Sequence, residues 1–150
     1  MRFSFAGEKT AGIAGDLKVG AWSIVVNKGE YKDVDKDLGD TIIYSSPGSF
    51  ATKSETSDMA KRGTRCLLAS LQSKHPVRVI RGQTSWKRAP FVGYRYDGLF
   101  QVEETGEEKN AEGGAYTWFR LERLKGQESI PKHCPNRDQR AQAEKIAAGY

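Results

Sequence analysis

The sequence is poor in the residues that build redox frameworks and metal centres, with two cysteines and two histidines among 150 residues. Cys66 stands in an apolar run and Cys134 near the polar end, so no disulfide scaffold is expected and a reducing, intracellular compartment fits. His133 beside Cys134 lacks the paired ligand spacing of a zinc site, and His75 beside Pro76 reads as a turn residue. Also missing are a nuclease's acidic and lysine cluster, a deaminase's His-x-Glu with paired cysteines, and a methyltransferase's glycine fingerprint. Their absence argues against catalysis and against any cofactor. No apolar stretch approaches the roughly 20 residues that span a bilayer, residues 1–15 lack a signal peptide's hydrophobic centre, and no cationic amphipathic helix of membrane-surface type stands out. No internal repeat or low-complexity tract is present.

What the chain does have is glycine, aromatic residues and a surplus of positive charge. Sixteen glycines and five prolines imply many turns and a β-rich fold, while 37% hydrophobic and 29% charged residues is the balance of one globular domain. Lys plus Arg number 24 against 19 Asp plus Glu, and the formal charge of +5 favours an anionic partner, nucleic acid before membrane.

Along the chain, glycines at 12, 15 and 20 predict a tight loop over residues 11–20 where the backbone approaches something closely. Residues 21–26 alternate as a strand with Trp22, Ile24 and Val26 on one side, residues 27–40 read as a polar loop, and 41–44 as a second strand running into a turn at Pro47 and Gly48. Residues 50–63 read as an exposed loop. The spacing of Cys66, Leu67, Leu68 and Leu71 predicts a short amphipathic helix over 64–72, opened by a Thr or Ser cap and stopped by Pro76. Val77, Val79 and Ile80 give a strand. A hairpin follows, with 98–104 and 115–124 as its strands and 105–114 as its loop. Trp22, Trp118 and Phe119 are expected in the core and Cys66 as a small buried residue. The domain is taken as residues 1–127, with 128–150 as a polar tail that has helical character over 139–148.

Several ordered stretches carry a resemblance. They are Ala11-Gly12-Ile13-Ala14-Gly15 leading to Gly20-Ala21-Trp22-Ser23; Gly29-Glu30-Tyr31-Lys32-Asp33-Val34-Asp35 with Gly39-Asp40 and Ile42-Ile43-Tyr44-Ser45; Pro76-Val77-Arg78-Val79-Ile80-Arg81-Gly82; and Tyr94-Arg95-Tyr96-Asp97-Gly98-Leu99. Together with the strand from Trp118 to Lys125 they resemble the SRA family, also called YDG, over about residues 10–127. The resemblance implies an α+β, β-rich fold: a curved, barrel-like sheet of SRA or PUA-like type with a few short helices. It also implies a non-catalytic reader of double-stranded DNA that everts a methylated cytosine into an aromatic pocket.

On that resemblance the base-binding pocket comprises Gly29, Tyr31, Asp33, Asp35, Tyr44 and Ser45. Tyr31 and Tyr44 match the two stacking tyrosines. Asp33 matches the carboxylate that accepts from the cytosine amine, with Asp35 as a second candidate. Ser45 stands where members commonly have Thr. One buried methyl is worth about 0.8 kcal/mol by transfer, so a moderate preference for methylcytosine is expected. Thr10, Ala11 and Gly12 match a loop that nears the gap left by the everted base, and Lys53, Lys61, Arg62 and Arg65 are expected on phosphates. Nothing in these residues supports reading of the opposite strand.

Tyr96, Asp97 and Gly98 are expected to be architectural, a buried tyrosine and a turn. The partners implied are methylated duplex DNA and chromatin proteins, with the chain a monomer and its place the nucleus in a eukaryote, the cytoplasm otherwise. The competing reading is an SRA-fold module that binds proteins, or nucleic acid without base flipping.

Overall fold

The computed structural model describes residues 12–26, 35–46, 52–55, 61–82, 89–90, 93–131 and 137–149. Seven strands, β1 (Ile13–Asp16), β2 (Gly20–Val26), β3 (Lys36–Asp37), β4 (Thr41–Ser45), β5 (Val77–Gly82), β6 (Tyr94–Lys109) and β7 (Ala115–Arg123), form one sheet in the order β1-β2-β5-β6-β7-β4-β3. Helix α1 (Arg62–Ser73) packs on β2, β6 and β1, and α2 (Arg137–Ala147) follows the sheet. Among the described strands every pairing is antiparallel except β2 with β5. No described helix is long and apolar enough to cross a membrane.

The core follows from strand alternation. Ile24, Val77, Val79, Phe100, Val102, Phe119 and Leu121 point to one side and, with Leu67 of α1, are sealed from solvent. Each such side chain contributes roughly 1.5–3 kcal/mol of transfer free energy. Ile130, beyond the last strand, is buried in the same cluster. Helix α1 starts at Lys61 without a side-chain cap, and Thr64, the predicted cap, lies buried inside its first turn. It ends at Lys74, whose left-handed backbone (φ 61°) returns an N–H to the Ser70 carbonyl just ahead of Pro76. Ser70 also receives the Ala21 amide on its hydroxyl at 2.8 Å. Gly20, at φ +127°, leaves no room for a side chain beside Ser70.

The sheet is curled but not closed. Asp37 on the edge strand β3 is four strand spacings from Arg81 on β5, about 19 Å across a flat sheet, yet both Asp37 carboxylate oxygens accept from Arg81 at 2.8 Å. Tyr44 of β4 and Val25 of β2 are as many strands apart, and the Tyr44 hydroxyl donates to the Val25 carbonyl at 3.4 Å. Curling alone brings these pairs together.

Four local expectations give way. Residues 13–16, read as loop because of their glycine, form β1, and Asp16 Oδ1 closes the β1–β2 turn by accepting from the Lys18 and Val19 amides. Trp22 is 51% exposed rather than core. Ala14 pairs with Ser23 and Gly15 with Ala21, so a bulge leaves Trp22 without an opposite residue and sends Ala21 inward instead. Lys36 and Asp37, placed in a polar loop, pair with Ile43 and Ile42. Residues 105–109, also read as loop, extend β6 against Phe119 to Ala115, and Trp118 lies over Gly106 where any side chain would strike its ring. The chain reverses only at 110–114, where Asn110 Oδ1 accepts from the Glu112 and Gly114 amides.

Candidate functional site

The residues named from the sequence meet most closely where β4 faces the entrance to β1. Strand β4 pairs with β7 through Tyr44 with Phe119 and Ser45 with Trp118, which turns the two neighbouring side chains to opposite faces. Tyr44 goes inward. Its ring is 8% exposed, and its hydroxyl lies so close to Gly12 that a Cβ there would stand 2.6 Å away. The Gly12 carbonyl accepts from the Val25 amide at 2.7 Å, so backbone from both ends of the β1–β2 hairpin packs against the phenol. Glycine at 12 is what permits the approach.

Ser45, on the other face, is buried and held by Asp35. One carboxylate oxygen, Oδ1, accepts both the Ser45 amide at 2.7 Å and the Ser45 hydroxyl. Burial pushes the Asp35 carboxyl up from the ordinary 3.8 to about 6, against the pull of the two Ser45 bonds. Asp35 charge, with that of Glu108, also reaches the Tyr116 phenol, whose pKa is raised chiefly by burial.

Of the other predicted site residues, Thr10, Ala11, Gly29, Tyr31 and Asp33 lie outside the described residues. Lys61, Arg62 and Arg65 are exposed at the start of α1, and Arg62 donates to the Gly15 carbonyl at 2.9 Å, which sets it along β1 from Gly12. Lys53 is exposed in a different neighbourhood: the Thr52 and Ser54 carbonyls beside it accept from Asn110 and Ala115, at the β6–β7 turn. Cys66 is buried, and burial raises its thiol pKa. Among the described residues no group of three or more His, Cys, Asp or Glu is placed to hold a metal ion.

Tyr96, expected buried, is 55% exposed. Asp97 and Gly98 carry the architecture instead. Asp97 is buried between Arg81 and Arg95, and Gly98 takes φ +104° under Gln127 and Arg123. Sequence reading passed over Arg81, which is 1% exposed and bonded to Asp37, Asp97 and the Gly39 carbonyl, with its guanidinium 5.9 Å from the Phe100 ring centroid. A signal existed. Arg81 shares strand parity with Val77 and Val79, and an arginine pointing inward with them must find buried acids.

The SAD/SRA domain model matches residues 2–127. The chain belongs to the SAD/SRA family. This SAD/SRA chain is 36% identical over 115 residues to the Arabidopsis thaliana histone-lysine N-methyltransferase SUVH5, an alignment covering 71% of the chain and 14% of that protein. It is 32% identical over 138 residues to a UHRF1-like protein of Cryptococcus neoformans, covering 81% of the chain and 40% of that protein. The chain thus spans well under half the length of these curated relatives. Among solved structures, the SUVH5 SRA complex with hemimethylated CG DNA superposes with a TM-score of 0.64 at 36% identity, covering 81% of this chain and 77% of that one. The modification-dependent restriction endonuclease TagI gives 0.64 at 35% identity, over 77% of this chain and 42% of that one.

Proposed function

We propose that this domain binds double-stranded DNA containing 5-methylcytosine, or a related modified cytosine, by drawing the modified base out of the helix into a pocket walled by Tyr31 and Tyr44. The observation that carries the reading is the assembly of Tyr44, Ser45, Asp35 and Gly12 around one end of β4. Solved neighbours at 34–36% identity are SRA domains in complex with hemimethylated and fully hydroxymethylated CG DNA, which supports the ligand class. Everting a base costs a few kcal/mol, and stacking returns about 1–3 kcal/mol per base. Asp35 is committed to Ser45, which supports Asp33 as the acceptor for the cytosine amine. Thr10, Ala11, Gly12, Lys53, Lys61, Arg62 and Arg65 are the proposed DNA contacts, and Gly29 completes the pocket.

Residues 1–127 are the proposed reading unit; of 128–150, Ile130 packs into its core and the remainder is the proposed appendage. The domain acts without catalysis, as a monomer, on chromatin in the nucleus if the cell is eukaryotic and in the cytoplasm otherwise; the longer relatives named as methyltransferases and ubiquitin ligases share only a minor part of their length with it.

The test compares matched duplexes with methylcytosine or cytosine at one position, with 2-aminopurine beside it. Wild type is expected to favour the methylated duplex and to brighten the probe. Tyr44→Leu, which keeps apolar volume but removes the ring, is expected to lower the methylated affinity about tenfold through lost stacking and to leave the unmethylated affinity unchanged. Equal affinity for both duplexes with a dark probe would refute base eversion. The low exposure of Tyr44 favours one second reading, a module that binds nucleic acid or protein with this ring as plain core. On that reading Tyr44→Leu changes stability alone.

A further inference from the structure

Asp35, Tyr44 and Ser45 lie on one segment, residues 35–46, at the margin of the sheet. One side of that segment is fixed by the β4–β7 ladder. Its outer strand, β3, is only two residues long, too short to hold the hairpin by itself. A further restraint comes from across the seam. Arg81 places Nε on Asp37 Oδ2 and one terminal nitrogen on Asp37 Oδ1, each at 2.8 Å, and that nitrogen also donates to the Gly39 carbonyl at 2.7 Å. The Asp37 carboxylate in turn accepts the Gly39 amide at 3.0 Å. A planar fork on a carboxylate fixes angle as well as distance, which a single point charge does not.

Arg81 is also the register partner of Val26 in the β2–β5 pair, next to Val25, whose carbonyl receives the Tyr44 hydroxyl. The two cross-seam contacts therefore land on adjacent rungs. One holds the turn of the hairpin and the other holds its tyrosine.

We propose that Arg81 is a positioning residue for the base pocket: through Asp37 it sets the spacing between the Tyr44 strand and the Gly12–Val25 backbone opposite. The inference rests on the base-pocket reading above. Asp97 has a different part, satisfying the other terminal nitrogen of Arg81 at 2.8 Å from β6, away from the 35–46 segment. A purely structural role for the buried cluster makes Asp37 and Asp97 equivalent. A positioning role does not.

The experiment uses the full chain as wild type, Arg81→Lys, Asp37→Asn and Asp97→Asn. For each, affinities for methylated and unmodified duplexes, 2-aminopurine brightening and the thermal midpoint are measured. Arg81→Lys and Asp37→Asn are expected to lower the methylated-to-unmodified affinity ratio at least about fivefold, the lower range of site-to-site coupling, and to dim the probe. Affinity for the unmodified duplex and its salt slope stay as in wild type, since phosphate contacts lie elsewhere. Asp97→Asn is expected to lower the midpoint with the ratio intact. Should Asp37→Asn and Asp97→Asn change the ratio alike, or should Arg81→Lys and Asp37→Asn both leave it untouched, the positioning role is overturned. If Arg81→Lys does not fold, the contrast between the two asparagine variants decides alone. A wild type that neither discriminates nor brightens removes the pocket reading itself, a result visible before any variant is compared.

Discussion

Asp35 and Asp37 stand two positions apart, the first half-buried and the second enclosed, and their charges are met in opposite ways. Asp37 is gripped by the Arg81 guanidinium, with both side chains almost fully enclosed. Asp35 is met by the amide and hydroxyl of Ser45, and burial lifts its carboxyl to about 6. The first arrangement is a fixed anchor, because removing Arg81 leaves the enclosed Asp37 carboxylate without its cation. The second is a titratable latch. The difference teaches that the seam of this sheet is locked by an ion pair, while the rim of the proposed pocket is held by neutral donors whose acceptor carboxyl is pushed up to about 6.

The sharpest way to break this comparison is to remove the cation. Arg81→Met should cost about 3–5 kcal/mol of unfolding free energy, the range for breaking a buried pair from one side, as read by chemical denaturation. A cost below about 1 kcal/mol, the range of an exposed pair, would mean that the seam is not locked there.

The next effect belongs to Asp35. Its folded pKa lies above the unfolded value of 3.8, so the folded state holds the proton more tightly between about pH 4 and pH 6. Stability from this group is therefore greatest below that window and falls as pH rises through it, by on the order of 2–3 kcal/mol for a shift of about two units. Denaturation of wild type and Asp35→Asn at a series of pH values should show the wild type losing ground to the variant over that interval. Parallel profiles would show that Asp35 titrates like a solvated carboxylate.

The smallest effect tests the other cross-seam contact. Tyr44→Phe removes the phenol hydroxyl with its 3.4 Å hydrogen bond to the Val25 carbonyl and should cost about 1 kcal/mol, with methyl preference retained because the ring remains. A larger loss would move the Tyr44 hydroxyl into the same class as Arg81.

Much of this was legible in the sequence wherever periodicity was unmixed. Strands β2, β4, β5 and β7 and helix α1 came from alternation or from the spacing of Cys66, Leu67 and Leu71. What escaped had a competing signal. Glycine hid β1, acidic residues disguised the outer half of β6 as loop, and a bulge invisible in composition reversed the face of Trp22. At the site, the ordered motifs put Gly12, Asp35, Tyr44 and Ser45 on the same short list; Gly12 lies against Tyr44 and Asp35 against Ser45, on opposite faces of β4. The division of labour between Asp35 and Asp37 was not legible, because it depends on which of them the curl of the sheet carries to Arg81.

The parallel pairing among the described strands is one of the distant closures this domain must make. The β6–β7 hairpin joins strands separated by a five-residue reversal at 110–114 and can zip locally. For β2 to align with β5, Ser23 must meet Arg78, more than a third of the chain further on. Such a long-range closure is entropically slow. The pocket end of β4 is completed only by closures of this kind, because Tyr44 must meet Phe119 of β7, half the chain further on, as well as Val25 across the seam.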